Sequence, residues 1–248
     1  MSKDQYGLIG KKIGHSLSAA YFNEKFKIEG IDAQYSLFPL ATISEFSELI
    51  ENTPNLKGLN VTIPYKQEVM PMLDEISDEA KGIGAVNVIK VSYNSGKPYL
   101  KGYNSDCIGF KNSLLPLLKT DMKKALILGT GGASKAVNYI LKNLGLEVTF
   151  VSRSPQQGQL SYSGLTEEII ADNLLIVNTT PLGMFPNTET YAPIPYHYLT
   201  PKHLCYDLVY NPEETEFMKR SRAEGATVKN GMEMWLGQAI ASWEFWNK

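Results

Sequence analysis

Short apolar runs alternate with amphipathic stretches almost from one end of the chain to the other, a pattern that predicts an α/β protein with largely parallel sheets. In the first half, YGLIG from Tyr6, AQYSLF from Ala33 and GLNVTI from Gly58 read as strands. Helix-like segments lie between them, from Ser18 to Glu29 and from Ile43 to about Glu51, the second with Ile43, Phe46, Leu49 and Ile50 on one face. VNVIKVSYNSGKPYL, from Val86, has a Ser-Gly turn between two strand-like runs and reads as a hairpin. After Asp106 a helix is expected over CIGFKNSLLPLL, ended or kinked at Pro116.

The second half reads as strand Ala125–Leu128, helix Ala133–Leu144 and strands EVTFVSR, LLIVNTT, LCYDLVY and ATVKN, with a helix over EETEFMKRSRAEG before the last. The segment from Pro181 to Pro201 is rich in Pro, Thr, Asn and Tyr and is expected to be an irregular surface loop. In GMEMWLGQAIASWEFW, Met232, Trp235, Leu236, Ala239, Ile240 and Trp243 share one helical stripe, expected to face the core rather than a cofactor. No internal repeat, low-complexity tract or heptad pattern is visible.

Composition narrows the class. With 248 residues the chain suits one large domain or two small ones. A net charge of -2 argues against nucleic acid or an anionic membrane as the main partner. The start, MSKDQYGLIG, has no apolar segment of signal-peptide length, and no uncharged run is long enough to cross a bilayer. Cys107 and Cys205 stand far apart with no CxxC, and His15, His197 and His203 show no metal-ligand spacing. The expectation is a soluble, cytoplasmic, metal-free protein.

The densest chemistry lies in ALILGTGGASKAV, a strand running into a glycine turn and then a helix. Gly129 and Gly131 have the G-x-G spacing that permits a tight turn and close backbone approach to a pyrophosphate, with the third small position at Ser134. The helix N-terminus supplies an anion site. An NAD-specific site would carry Asp or Glu at the end of the next strand; this chain has Ser152, Arg153 and Ser154. A guanidinium and two hydroxyls suit a 2′-phosphate, and NADP is favoured over the alternative of Arg153 as a solvated strand-end residue.

In the first half, Ser16 and Ser18 flank Leu17 where a strand gives way to a helix. Their hydroxyls either cap the helix or bind a substrate carboxylate against it. NVTIPYK places Asn60, Thr62 and Lys66 just past a strand end; GAVNV adds Asn87, and GYNSDCIGF adds Asn104 and Asp106. Lys66 and Asp106 form either a salt bridge with no further role or a proton-handling pair beside a carbonyl.

From Gly7 to Gln238 the chain resembles the shikimate dehydrogenase family, through GLIG…HSLS, NVTIPYK, GAVN, GYNSD, GTGGA, NTTPLGM, YDLVYNP and NGMEMWLGQA in that order. The resemblance implies a shikimate-binding catalytic domain over 1–105, on which the C-terminal helix 231–248 packs back, and a Rossmann-like NADP domain over 106–230. It implies that Ser16 and Ser18 bind the substrate carboxylate, with Asn60, Thr62, Asn87, Tyr210 and Gln238 around the ring, and that Lys66 and Asp106 are the catalytic pair. Cofactor contacts are implied at Gly129, Thr130, Gly131, Gly132, Ala133, Ser152, Arg153, Ser154, Leu208 and Gly231, with Asp78 a further candidate. The implied activity is reversible reduction of 3-dehydroshikimate by NADPH, in a monomer or homodimer.

The chain departs from the family at several places. KKIGHSLSAAYFN lacks the prolines usual before the isoleucine and after the second serine, and Phe22 replaces a common histidine. SRS replaces NRT, and Gln157 stands where a second basic residue is often found. His15 is expected to be structural. The rival readings are a quinate/shikimate dehydrogenase with broader substrate range or NAD use, and a catalytically silent NADP-binding module.

Overall fold

The computed structural model describes residues 3–248, and each apolar run found in the sequence lies in or beside a strand. The elements fall into two units, one running to Ser105 and taking in Ala239–Lys248, the other Asp106–Gln238.

In the first unit, strand β1 (Asp4–Gly10), helix α1 (Ser18–Glu29) and strand β2 (Ala33–Pro39) form a parallel crossover. Gly30 ends α1 in the left-handed conformation, φ 66°. Helix α2 (Phe46–Asn52), begun by a 3-10 turn with a Thr42–Glu45 capping box, leads into strand β3 (Leu56–Val61). Strand β4 (Glu75–Ile76), helix α3 (Asp78–Ile83) and the hairpin of β5 (Val88–Asn94) and β6 (Lys97–Tyr103) complete it. The sheet order is β2-β1-β3-β5-β6-β4, with β5 antiparallel to both neighbours. One core joins Ile9, Phe46, Leu59, Val61 and Ile89.

The second unit opens with helix α4 (Asp106–Leu114), where Pro116 closes the α-helical run into a single 3-10 turn. Strand β7 (Lys124–Leu128), helix α5 (Gly132–Asn143), strand β8 (Glu147–Ser152) and the short strand β9 (Leu160–Ser161) follow. Helix α6 (Glu167–Asp172), strand β10 (Leu175–Asn178), strand β11 (Leu204–Asp207), helix α7 (Glu216–Ala223) and strand β12 (Thr227–Lys229) come next. Every pairing in this sheet is parallel, in the order β9-β8-β7-β10-β11-β12. Numbered within the unit, that is the 3-2-1-4-5-6 order of the Rossmann fold, whose direction reverses between β7 and β10. Ligands in such sheets bind beyond the carboxyl ends of the strands at the reversal, here the ends of β7, β8 and β10.

Two expectations need correction. Pro181–Pro201 is irregular apart from one 3-10 turn, but it is no mere surface loop. Ala192, Ile194, Tyr196 and Leu199 are buried in the core with Leu126, Ile176 and Phe217. Its prolines prevent regular structure without preventing burial, since alternate residues of an extended chain still face inward.

The second correction concerns the last helix, α8 (Met232–Asn247). Met232, Leu236 and Ile240 are 39%, 41% and 47% exposed, while Met234, Ala239, Ala241, Phe245 and Trp246 are buried. The helix is apolar on most of its circumference, so the 3.6-residue period did not single out the packed face. Packing chose the face through shape: the Trp246 indole fills the place a side chain at Gly58 would occupy, and its Nε1–H donates to the Ile89 carbonyl at 3.1 Å. Around it gather Tyr6, Phe22, Phe26, Tyr35 and Trp243.

Candidate active site

Gly129 follows β7 with φ 102°, a conformation that disfavours any side chain, and its amide donates to the Val151 carbonyl at 2.9 Å. A Cβ there would also press on Thr180 and Thr179. Gly131 is different. It caps α5 with extended backbone, φ -79° and ψ -173°, and a Cβ would meet nothing in the chain within 4 Å. The fold does not demand glycine at that place, so the open space is available to a ligand. Helix α5 has no acid in its first turn and no side-chain cap, leaving its first N–H groups and positive dipole end for an anion.

Ser152, Arg153 and Ser154 end and follow β8, the strand next to β7. The Ser154 amide donates to the Ser152 hydroxyl at 3.2 Å, which turns the chain, and no acid stands between Ser152 and Gln159. The predicted residues from Gly129 to Ala133 and from Ser152 to Ser154 thus come together at the ends of two adjacent strands. These groups fit a dinucleotide bearing a 2′-phosphate.

A second group of predicted residues follows β11. The Leu208 amide donates to the Asn178 carbonyl at 2.9 Å and the Gly231 amide to the Val209 carbonyl at 3.0 Å. A Cβ on Gly231 would strike the Leu208 carbonyl, so the predicted Leu208 and Gly231 touch backbone to backbone. Tyr210 lies half-buried with its ring 5.7 Å from Trp235, and burial raises its phenol. Gln238 is one turn further along α8 than Met234, at the point where the Gly109 backbone of α4 lies against that helix.

The sequence reading missed the residue that fixes this group. Asp207, buried at the end of β11, accepts from the Asn178 amide at 2.9 Å, the Val209 N–H at 3.0 Å and the Thr215 hydroxyl at 2.6 Å. It therefore joins β10, the Leu208 turn and the N-cap of α7. Burial pushes its carboxyl up to about 7 against the opposing effect of those donors. A lone acid between Tyr206 and Leu208 in an apolar strand was the available signal.

In the first unit, Leu17 before α1 is in helical conformation with no side-chain bond, and the Ser16 hydroxyl accepts from the Ser18 amide, the first N–H of the helix, at 3.2 Å. Ser16 therefore serves the helix end as a cap does, and that bond still leaves its O–H to donate to a carboxylate. Ser18 is buried and hydrogen-bonds the Tyr35 phenol, which burial drives far above its ordinary value.

From Tyr35 a buried polar chain runs under this part of the unit. Tyr35 donates to Asn60 Oδ1 at 2.8 Å, and Asn60 Nδ2 donates to the Ser242 hydroxyl at 2.9 Å and the Asn87 carbonyl at 3.3 Å. Asn87 donates to the Ser105 hydroxyl at 3.0 Å and accepts from its amide at 2.7 Å. Asn60 is thus spent on supporting Asn87. Sequence reading found Asn60 and Asn87 but not Tyr35, Ser105 or Ser242, since a serine among Ala241, Trp243 and Phe245 shows its purpose only when its partner is placed.

Thr62 follows β3, its amide held by the Ile9 carbonyl at 2.9 Å. The Tyr65 amide bonds the Thr62 carbonyl at 3.0 Å, and the Lys66 carbonyl accepts from the Val86 amide at 2.7 Å. Lys66 is therefore carried on backbone pinned at both ends of its turn. Asp106 is the first residue of α4, buried, directly after Ser105 of the polar chain. Asp78 opens α3 behind the Ser77 cap, fully exposed and 3.7 Å from Lys81. Among the described residues no His, Cys, Asp or Glu group could hold a metal ion, and no helix is long and apolar enough to cross a membrane.

Comparisons with known proteins agree with this chemistry. A family model for the shikimate dehydrogenase substrate binding domain matches residues 8–89. Shikimate dehydrogenase (NADP(+)) of Clostridium perfringens strain SM101 is 38% identical over 257 residues, covering 98% of this chain and 92% of its own. The crystal structure of shikimate dehydrogenase from Aquifex aeolicus matches with TM-score 0.85 at 35% identity, covering 99% of this chain and 92% of that one. A shikimate dehydrogenase crystallised in complex with NADP+ matches with TM-score 0.85 at 30% identity, covering 98% and 90%. Since these likenesses run the length of both units, the chain belongs to the shikimate dehydrogenase family.

Proposed function

We propose that the protein catalyses the reversible, NADPH-dependent reduction of 3-dehydroshikimate to shikimate, in the biosynthesis of chorismate and the aromatic amino acids. The observation that carries this reading is whole-length likeness to shikimate dehydrogenases (NADP(+)) in a chain that has both Lys66 and Asp106. NADPH, when bound, supplies the hydride for the ring ketone carbon.

The chain's own residues handle the rest. Lys66 Nζ gives a proton to the ketone oxygen in reduction and takes it back from the hydroxyl in oxidation, with Asp106 as its partner. Ser16 and Ser18 hold the carboxylate, and Thr62, Asn87, Tyr210 and Gln238 orient the ring. Asn60 acts beneath them by holding Asn87. The unit running to Ser105 is on this reading the substrate domain, and the unit with the 3-2-1-4-5-6 sheet the NADP domain. The α5 N-terminus and Gly131 take the pyrophosphate, Arg153 with Ser152 and Ser154 the 2′-phosphate, and Leu208 and Gly231 the nicotinamide end. The enzyme works in the cytoplasm as a monomer or homodimer, with neither nucleic acid nor membrane as partner.

Following NADPH formation with shikimate and with quinate, then repeating both with NAD, tests the reading. Turnover with shikimate and NADP well above the other three combinations is the expected result. Comparable turnover with quinate or NAD would replace it with the broader quinate/shikimate activity.

A further inference from the structure

Strand β10 is apolar over residues 175–177 and β11 over residues 204–206, and each then ends on a wholly buried polar side chain, Asn178 or Asp207. The two are register partners, and the Asn178 carboxamide donates to Asp207 Oδ1 at 2.9 Å. We infer that Asn178 and Asp207 are positioning residues for the nicotinamide end of the cofactor, and so for hydride transfer, acting through the Leu208 turn. The inference rests on the NADP reading and adds to it two residues that act from behind the ligand.

The first ground is where the bonds of the pair go. Joining the strands does not require them, because the backbones of β10 and β11 are already in register from Leu175 and Leu204 onward. An acid buried at this place also costs more than an aliphatic side chain would, desolvation being the larger effect on its carboxyl. Its bonds serve the chain beyond the strands instead. Both residues close the same kind of turn. Asn178 Oδ1 accepts from the Thr180 amide at 3.1 Å and Asp207 Oδ1 from the Val209 amide at 3.0 Å, two residues on in each case. The backbones are tied across as well, since the Leu208 amide donates to the Asn178 carbonyl at 2.9 Å. The path of the chain leaving one strand is thus set by the residue that ends the other.

The second ground is where those turns lie. The first stands against the glycine turn, where a Cβ on Gly129 would come within 2.9 Å of Thr180 and 3.1 Å of Thr179. Thr179 in turn donates its amide and its hydroxyl to the Leu128 carbonyl of β7, at 3.0 and 2.7 Å. The second turn carries Leu208, whose carbonyl a Cβ on Gly231 would strike, and Tyr210 beside Trp235. Asp207 has a further hold from outside the sheet. The Thr215 hydroxyl donates to its Oδ2 at 2.6 Å and accepts from the Met218 amide as the N-cap of α7. Three donors on one carboxyl leave the Leu208 turn a single arrangement. That matters for a hydride donor, since a displacement of about 1 Å at the reacting carbon costs about 100-fold in rate.

The test compares the full chain with Asp207→Ala, Asp207→Asn and Asn178→Ser. For each, kcat with shikimate and NADP+ is measured well below the melting temperature, and NADP+ and 2′,5′-ADP are titrated calorimetrically. The second ligand ends at its 5′-phosphate and has no nicotinamide. Asp207→Ala is expected to lower kcat about 10–100-fold and to weaken NADP+ several-fold, while 2′,5′-ADP binds within about twofold of the parent. Asp207→Asn is the rescue: its one oxygen still accepts from Asn178 and Val209, and kcat is expected within about threefold of the parent. Asn178→Ser keeps a hydroxyl for the Thr180 turn but is too short to reach Asp207. It is expected to lower kcat about tenfold, and it decides by the same readouts should Asp207→Ala fail to fold.

Lowered melting temperatures with parental kcat and NADP+ affinity would mean that the pair serves stability alone, which overturns the inference. So would equal weakening of NADP+ and 2′,5′-ADP, which puts the effect at the phosphates rather than at the nicotinamide. Both results leave the NADP reading standing as long as the parent oxidises shikimate with NADP+. A parent protein without that turnover overturns the two together.

Discussion

The Asn60 carboxamide donates to the Ser242 hydroxyl at 2.9 Å, joining a strand near the start of the chain to its final helix through two buried polar groups. Asn60 serves three partners at once, since it also accepts from Tyr35 and donates to the Asn87 carbonyl. The position of Asn87 depends on a helix that comes after nearly all the rest of the sequence.

Asn60→Ala takes from the Tyr35 hydroxyl its acceptor, while the Asn87 carbonyl keeps the Val61 N–H at 2.9 Å and the Ser242 hydroxyl keeps Ser105 at 3.1 Å. At about 1–3 kcal/mol for an unsatisfied buried group, a loss of about 2 kcal/mol is expected. Urea unfolding of the two proteins measures it. A loss below about 1 kcal/mol would show that the network is not what stabilises this unit.

Local chemistry made much of the fold legible. The apolar run in Asp4–Gly10, the Ser-Gly turn between β5 and β6 and the Pro116 stop are decided within a few residues, and the elements lie there. Helices α3 and α6 also carried a readable signal, in Ser77 before Asp78 and Glu79 and Thr166 before Glu167 and Glu168, each cap accepting the expected backbone bond. Illegible were choices made by distant partners. Trp246 finds the place of its side chain at Gly58, so the packed face of α8 could not be read from α8. Ser16 and Ser18 could be named as candidates, but only the placed backbone shows that the Ser16 hydroxyl accepts the first N–H of α1.

Ser16 and Ser18 are expected to differ in their worth to the substrate. The Ser16 hydroxyl accepts from the Ser18 amide and keeps its proton for a carboxylate, whereas Ser18 bonds Tyr35 and must exchange that partner. Ser16→Ala should therefore raise KM for shikimate about tenfold or more, and Ser18→Ala less, with a larger loss of stability. Steady-state kinetics and melting curves compare them; the reverse ranking in KM would mean that the Ser18–Tyr35 bond costs nothing to break.

Lys66→Ala should lower kcat by roughly 10²–10⁴-fold, the usual worth of a positioned acid or base, and change cofactor binding little. Its backbone bond from Val86 does not depend on the side chain, so folding should be preserved. Near-normal turnover in this variant would remove Lys66 from the proton transfer.

Gly131→Ala separates fold from function. Its backbone suits alanine and the space around it is open, so a gain of about 0.4–1 kcal/mol through the unfolded chain is set against alanine's poorer service as an N-cap, and stability should change by less than about 1 kcal/mol. The added methyl instead occupies the approach to the α5 N-terminus and should weaken NADP roughly tenfold. Calorimetric titration and urea unfolding on the same preparation decide it. A more stable protein with undiminished NADP affinity would place the pyrophosphate elsewhere.

Asp207 sets burial against hydrogen bonding, and the pH dependence of stability shows which wins. Three donors favour the carboxylate, yet desolvation is the larger effect and its carboxyl stands at about 7 rather than 3.8. In the folded protein it therefore holds its proton over a range in which the unfolded chain has lost it. The stability it contributes is fully present below about pH 4 and is lost as the pH rises through about 7, on the order of a few kcal/mol. Glu75 and Glu216 act in the opposite sense, since Lys101 and Lys219 hold their carboxyls low, but they lie at the surface and titrate below this window. Asp207→Asn removes the titration while keeping the shape, so its stability from pH 4.5 to 7.5 should fall less steeply than that of the parent. Urea unfolding of both proteins across that range gives the difference curve. If the parent instead gains on the variant as the pH rises, the three hydrogen bonds outweigh burial, and Asp207 holds the Leu208 turn as an ionised carboxylate.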